Sequence, residues 1–345
     1  MGVYVGVDIG GTKTAVVLGR AGPRPEAPGA LRADDGLQII DRAVFPTDPR
    51  TRGWREVLTD VVAAAGDLRA RHGLSGERLE GAGVSCGGPL DSHAGRVLSP
   101  PNLPGWDDVP VTSELESGLG CPAALQNDAN ACALAEWRFG AGRGSRNMIF
   151  LTFGTGMGAG LIIDGRLYEG TSDLAGEVGH VRLAEDGPEG YGKEGSFEGF
   201  CSGGGIARLA RAEAEKHLAA GRRMLFCRDR AQLPTITAQS VAEAAEAGDE
   251  AAQEILAVSG RFLGRGVAML IDVLNPQRIV IGSIYVRSGR FLQPAMEKEI
   301  AREALAPAAR VCTVVPAELG EKIGDYACLS VAMRAQQGEH NDNSR

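Results

Sequence analysis

The chain has 345 residues, 43% apolar and 23% charged, with a net charge of −8 at pH 7. At ~150 residues per domain this length predicts two domains, the composition excludes global disorder, and the acidic balance excludes a basic nucleic-acid footprint. No run of ~18 apolar residues occurs, so no membrane span is expected, and an N-terminus with Asp8 inside its apolar stretch does not read as a signal peptide.

Residues 3–9 (VYVGVDI) and 14–19 (TAVVLG) are apolar and β-branched, and Gly10-Gly11 between them predicts a β-hairpin. Residues 21–35 are rich in Pro and charge and read as an exposed loop, followed by a third strand in LQIIDRAVFPT. Val57, Leu58, Val61, Val62, Ala65 and Leu68 recur at helical spacing, with Gly73 as the stop. GAGVSCGGPLD is a strand ending in a turn, PPNLPGW a loop, and PAALQ a short strand before a helix opening at NDANACALAEWRFG. MIFLTF, the glycine run GTGMGAG and the strand GLIIDGRLY repeat the outline of residues 3–19, which predicts a duplicated fold.

The remainder is mostly helical. A helix follows the three glycines of SGGGIARLARAEAEKHLAAG. Two more span 237–276, with Val258, Phe262, Val267, Leu270, Ile271 and Leu274 on one side. RIVIGS and VCTVVPA are strands, a last helix runs to about Gln336, and the tail 337–345 is expected to be disordered. Seven scattered cysteines, an odd number without a CxxC pair, predict free thiols in a reducing cytoplasm.

Five groups of residues carry chemical potential. Asp8-Ile9-Gly10-Gly11-Thr12-Lys13 could hold a phosphate and Mg²⁺, or be an ordinary turn. It is not a P-loop, because Thr12 stands where that motif requires Lys. Gly154-Thr155-Gly156 precedes a strand rather than a helix, which rejects a dinucleotide fingerprint and favours a second phosphate-clasping hairpin. Asp128, after Asn127 at a strand-to-helix junction, is either a helix cap or a general base. Glu177 and His180 flank Val178-Gly179 and suit sugar hydroxyls or a metal. Glu198, in glycine-rich surroundings, would alone be a solvated loop carboxylate.

DIGGTK, CGGPLD, PPNLPGW, QNDANACALAEW, FGTGMGAGLIIDGRL, LAGEVGH and LGEKIGDYACLSVAM, in this order from residue 3 to about 335, resemble the ROK family. That family comprises bacterial sugar kinases and related repressors of the actin/hexokinase-like superfamily. The resemblance implies an α/β fold of two ribonuclease-H-like lobes with an interdomain cleft. Its lobes would be 1–125 plus 316–336, and 126–315. It implies ATP and Mg²⁺ as cofactors, with Asp8 toward the metal and Gly10, Gly11, Thr12, Lys13, Gly154, Thr155 and Gly156 on the phosphates. Gly282 would lie near the adenosine, and Asn102, Asn127, Glu177, His180 and Glu198 would contact the sugar. Asp128 would be the catalytic base.

The chain departs from the family at its zinc signature, CxCGxxGCxE. Glu189, Tyr191 and Ser196 occupy the three cysteine positions, so no structural zinc is expected and the loop must be held by packing and hydrogen bonds, for instance through Tyr191 and Phe197. The family's double glycine after the nucleotide strand is Gly282-Ser283 here. The implied activity is a glucokinase-like transfer of phosphate from ATP to a hexose, glucose first. N-acetylglucosamine, N-acetylmannosamine or fructose are the alternative acceptors, and a silent sugar-binding protein is the alternative function. A DNA-binding repressor is disfavoured because the hairpin starts at residue 3. A cytoplasmic homodimer is the family expectation.

Overall fold

A computed structural model describes residues 1–22 and 36–335. The expected loop over 21–35 therefore lies mostly, and the tail 337–345 wholly, outside the described residues.

The first half lays down β1 (Gly2–Ile9), β2 (Lys13–Ala21), β3 (Gln38–Pro46), α1 (Trp54–Arg71), β4 (Leu79–Cys86), α2 (Val111–Leu119), β5 (Ala123–Asn127) and α3 (Asp128–Phe139). The second supplies β6 (Met148–Phe153), β7 (Met157–Ile163), β8 (Arg166–Tyr168), α4 (Gly203–Ala219), α5 (Ala238–Glu246), α6 (Glu250–Leu274), β9 (Arg278–Ile281), α7 (Ile284–Glu303) and β10 (Thr313–Pro316). The last described element is α8 (Ile323–Ala335).

The strands form two five-stranded sheets, ordered β3-β2-β1-β4-β5 and β8-β7-β6-β9-β10. Each therefore runs third, second, first, fourth, fifth, so the duplication expected from the glycine hairpins is present at the level of topology. In the first sheet β1 is antiparallel to β2 and parallel to β4, and β4 is parallel to β5. In the second, β9 is parallel to both β6 and β10. This mixed sheet, begun by a hairpin and continued by parallel crossovers, is the ribonuclease-H-like arrangement.

By its contacts the chain divides into two compact units. Unit one holds residues 1–146, 160–175 and the chain from Glu318 onward, and unit two holds 147–159 and 176–317. Residues 126–146 thus lie in unit one, beyond the boundary expected after 125. The reason is α3, which packs on α8. Its Arg138 donates to the carbonyl of Ser330 (3.0 Å), and its fully buried Glu136 accepts from the backbone amides of Ala141, Glu318 and Leu319.

The core of unit one is built from β1, β4 and α1. Val57, Leu58, Val61, Ala65 and Leu68 bury one helical face, and burial of a Leu or Val contributes ~1.5–3 kcal/mol each. The helix ends where Gly73 takes φ +68°. The opposite face of the sheet carries α8, whose Ala327 to Ala332 are all buried. Glycine floors this contact: a Cβ on Gly83 would lie 2.0 Å from the Ala332 nitrogen, and one on Gly6 would lie 2.4 Å from Cys328 Sγ.

In unit two the long α6 packs on α7. A Cβ at Gly260 or Gly264 would meet the backbone oxygen of Leu292 or Met296 at 2.4 or 2.5 Å. These two glycines, one turn apart, let the helices approach closely. The apolar stripe expected on α6 is only partly the buried face: Val267, Leu270 and Ile271 are buried, whereas Val258, Phe262 and Leu274 are partly exposed.

Two readings of the sequence are corrected. GLIIDGRLY is not one strand, because Asp164 and Gly165 both take positive φ (52° and 75°) and fold it into the β7–β8 hairpin. Asp-Gly is well suited to that turn. The three glycines before α4 lie inside its first turn, because the cap is Ser202, whose hydroxyl accepts from the Gly205 amide at 2.9 Å.

Candidate active site

The register of the first sheet brings its candidate residues to one end. Ile9 pairs with Cys86, and Cys86 pairs with Asn127. Asp8 and Asp128 therefore sit at the carboxyl ends of parallel strands two positions apart, where open α/β sheets place their ligands. Asn127, not Asp128, caps α3: its Oδ1 accepts from the Asn130 amide at 2.8 Å. Asp128 is the first helical residue, and its carboxylate accepts from the adjacent Ala129 amide at 2.8 Å. This leaves it exposed and available.

The electrostatics at this end are strongly negative. Asp8 is pushed up to about 6, first by burial and then by the charges of Asp128 and Asp325, with Arg42 and Lys13 opposing. Desolvation also raises Asp128, against the lowering effect of the backbone amides it faces. Cys86 is pushed up to about 12 by burial and by the same two carboxylates, Asp128 and Asp8. Asp325, on the first turn of α8, pairs with Arg42 at 2.9 Å, and Gly324 beside it closes on Asp8.

The turn after β1 is closed by the Gly10 amide on the Lys13 carbonyl (3.0 Å) and tied to β3 by the Thr47 amide on the Thr12 carbonyl (3.0 Å). Thr12 and Lys13 are exposed. Gly11 meets the PPNLPGW loop: a Cβ there would lie 2.5 Å from the Asn102 carbonyl oxygen. The Asn102 side-chain amide lies 3.6 Å from a Cβ built on Gly87.

Unit two gathers the remaining candidates around the turn between β6 and β7. The Gly203 amide, at the start of α4, donates to the Gly154 carbonyl at 2.8 Å. Ser283, at the start of α7, places its Oγ 3.5 Å from a Cβ built on Gly154. Two helix N-termini therefore adjoin this turn, and the positive end of a helix dipole favours anions. Gly282 is buried, with its amide on the Leu151 carbonyl, while Ser283 is exposed at φ 52°, ψ −110°.

Glu198 is half-buried, and its Oε2 accepts from the Met157 amide at 3.0 Å. Its carboxylate is thereby tied to the glycine turn, a contact that the sequence alone did not reveal. The Glu177–His180 segment lies along β7: Cβ atoms on Gly176 and Gly179 would strike the carbonyl oxygens of Ala159 and Met157 at 2.0 and 2.2 Å. The structure thus brings Gly156, Glu177, His180 and Glu198 to one neighbourhood in unit two. Asp8, Gly10 to Lys13, Asn102, Asn127 and Asp128 lie in unit one.

The loop at the zinc positions is a hairpin. Glu189–Gly190 pairs with Lys193–Glu194 through Tyr191 and Gly192, both at positive φ. Ser196 caps the short helix Phe197–Phe200 by accepting from the Gly199 amide, and Lys193 Nζ donates to the His180 carbonyl at 2.8 Å. Phe197 is fully buried against Gly266, whereas Tyr191 is exposed and meets the His180 ring edge-on at 5.0 Å. This donor set does not fit zinc, which requires thiolates or imidazoles converging on one point. Among the described residues no group of three or more His, Cys, Asp or Glu is placed to hold a metal. No helix there is long and apolar enough to cross a membrane, and all seven cysteines are unpaired.

Asp325 and Arg42 were missed in the sequence. More than 300 residues separate Asp8 from Asp325, and only the packing of α8 joins them.

The ROK family model matches residues 4–332. A glucokinase of Halalkalibacterium halodurans is 32% identical over 325 residues, 93% of this chain and 92% of that protein. The crystal structure of a ROK family glucokinase from Streptomyces griseus, in complex with glucose and AMPPNP, is 30% identical with a TM-score of 0.70 and covers 96% of this chain and all of that one. The DNA-binding transcriptional repressor Mlc of Escherichia coli is 30% identical over 250 residues, 72% of this chain and 59% of that protein. With the family's motifs in order, its paired sheets and its model spanning nearly the whole sequence, this chain belongs to the ROK family.

Proposed function

We propose that this protein is an ATP-dependent sugar kinase that transfers the γ-phosphoryl group to a hexose hydroxyl, glucose being the first acceptor to test. The observation that carries the reading is Asp128: an exposed carboxylate, released from capping by Asn127, whose affinity for a proton is raised by its surroundings. A base so placed accepts the hydroxyl proton as the new O–P bond forms and the bond to the departing ADP breaks.

In this reading unit one contributes Asp128 and the Gly10 to Lys13 turn, with Asn102 and Asn127 toward the acceptor. Unit two contributes the Gly154 to Gly156 turn, Gly282 near the adenosine, and Glu177, His180 and Glu198 toward the sugar. Asp8 suits Mg²⁺ brought in with the phosphates, since Asp128 and Asp325 leave it in an excess of negative charge that a cation relieves. The metal, when bound, supplies charge neutralisation on the transferred phosphoryl group. We place the enzyme in the cytoplasm as a homodimer, where its thiols stay reduced.

The test is ADP release from Mg-ATP with a panel of hexoses, N-acetylhexosamines and ketoses, beside Asp128→Asn. Removing the base is expected to lower kcat by ~10²–10⁴-fold with nucleotide binding little changed. Unchanged turnover in the variant overturns the assignment of Asp128. No turnover with any sugar, alongside sugar-induced thermal stabilisation, instead identifies a silent sugar-binding protein.

A further inference from the structure

Unit one holds a cavity of about 550 Å³ that shares Gly11, Thr12 and Asn102 with the roles assigned above and extends past them to Asp48, Arg50 and four prolines, which have none. It opens beside the first glycine turn, between the end of β3 and the PPNLPGW loop. Its size lies within the ~300–1,000 Å³ usual for small-molecule sites. Four of its lining residues are prolines, at 46, 49, 101 and 104. The polar groups on its wall are Thr12, Asp48, Arg50 and Asn102.

The lining chemistry selects among occupants. Proline has no N–H, so four lining residues offer rigid apolar rings and no backbone donors. Nearby amides are already engaged: Thr47 donates to Thr12, and Thr51 and Arg52 donate to the Asp48 carbonyl. An anion would find the single charge of Arg50 and the opposing carboxylate of Asp48. A pyranose ring meets both needs, with apolar C–H faces for the prolyl rings and hydroxyls for the Asp48 carboxylate and the Arg50 guanidinium. Arg50 is exposed and makes no hydrogen bond or ion pair among the described residues. Asp48 spends one oxygen on the Thr51 hydroxyl (2.5 Å) and keeps the other.

We propose that this cavity is a subsite for a second, neutral sugar ring, so that the acceptor is a hexose carrying a glycosyl group, held beyond Asn102 by the proline walls, Asp48 and Arg50. The proposal rests on the kinase reading, because Asn102 is the expected acceptor contact that the cavity shares. Arg50 is then a specificity-determining residue that the hexose ring itself does not touch.

Isothermal titration of the full chain with glucose, maltose, cellobiose, trehalose and glucose 6-phosphate tests it, with ADP release measured for the same set. At least one disaccharide is expected to bind the wild type. Arg50→Ala is expected to weaken that disaccharide ~10-fold and leave glucose unchanged, and Arg50→Lys to restore part of the loss. Three results overturn the subsite: no disaccharide binds, Arg50→Ala weakens glucose and disaccharide equally, or glucose 6-phosphate binds in place of the neutral sugars. Failure of the kinase reading is distinct, since it removes ADP release with every acceptor while titration still reports whether the second ring is bound.

Discussion

The two glycine hairpins share a place in equivalent sheets but are equipped differently. The first turn, Gly10 to Lys13, stands among ionisable groups: Asp8, Asp128 and Asp325 against Arg42 and Lys13. The second, Gly154 to Met157, is surrounded by backbone, with the starts of α4 and α7 on Gly154 and the Glu198 carboxylate on the Met157 amide. Duplication supplied one scaffold twice, and the side chains then specialised one copy for charge and left the other braced by hydrogen bonds against its neighbours. The first turn should therefore respond to pH, and the second to changes in shape.

The largest effect is expected at Asp8. Its folded-state carboxyl sits at about 6 against an ordinary 3.8, so ionising it opposes folding. That cost is absent below pH ~4, where the group is protonated whether folded or not, and grows until pH ~6. Asp8→Asn should thus match the wild type at pH 4 and exceed it by up to ~3 kcal/mol above pH 6, read by chemical denaturation at both pH values. A variant less stable than wild type at pH 8 breaks the contrast. Activity should fall in the same variant, which would mark Asp8 as stability given up for function.

At the second turn, Glu198→Ala removes the acceptor for the Met157 amide. A charge-assisted bond of ~1.5 kcal/mol corresponds to ~10-fold in KM for ATP, and Glu198→Gln should recover most of it. Loss confined to the sugar KM would show that the bond to the Met157 amide does not hold the turn, Glu198 then serving the acceptor alone. The smallest effect concerns Ser283. At φ 52° and ψ −110° it holds a conformation natural to glycine, so Ser283→Gly should stabilise by ~1 kcal/mol in thermal or chemical denaturation. A loss of stability would show that its hydroxyl makes a contact worth more than the strain.

Local patterns carried much of this in the sequence. Both hairpins, the strand before Asp128 and the helix after it were readable from β-branched runs, glycine pairs and a polar junction. What escaped depended on distance or on a mixed signal. Asp164-Gly165 bends a run whose apolar pattern reads straight through it. Helix α7 went unread because Gly289 and Pro294 interrupt its pattern; it forms regardless, pressed against the glycines of α6. Asp325 belongs to the charge cluster only because α8 returns from the end of the chain. The capping role fell to Asn127 rather than Asp128, a one-residue choice that both side chains could satisfy.

The glycine floor under α8 has a consequence for biosynthesis. The helix that covers β1 and β4 is made after nearly everything else, so the strands translated first wait with one face bare until Ala327 to Ala332 leave the ribosome. Because Gly6 and Gly83 carry no side chains, that waiting face is a shallow trough of backbone beside Tyr4 and Val17, with less apolar bulk to seed aggregation than larger residues at those two positions would give. A stop codon shortly before residue 323 would leave the trough open for good, making the end of the message as necessary to the first lobe as its beginning.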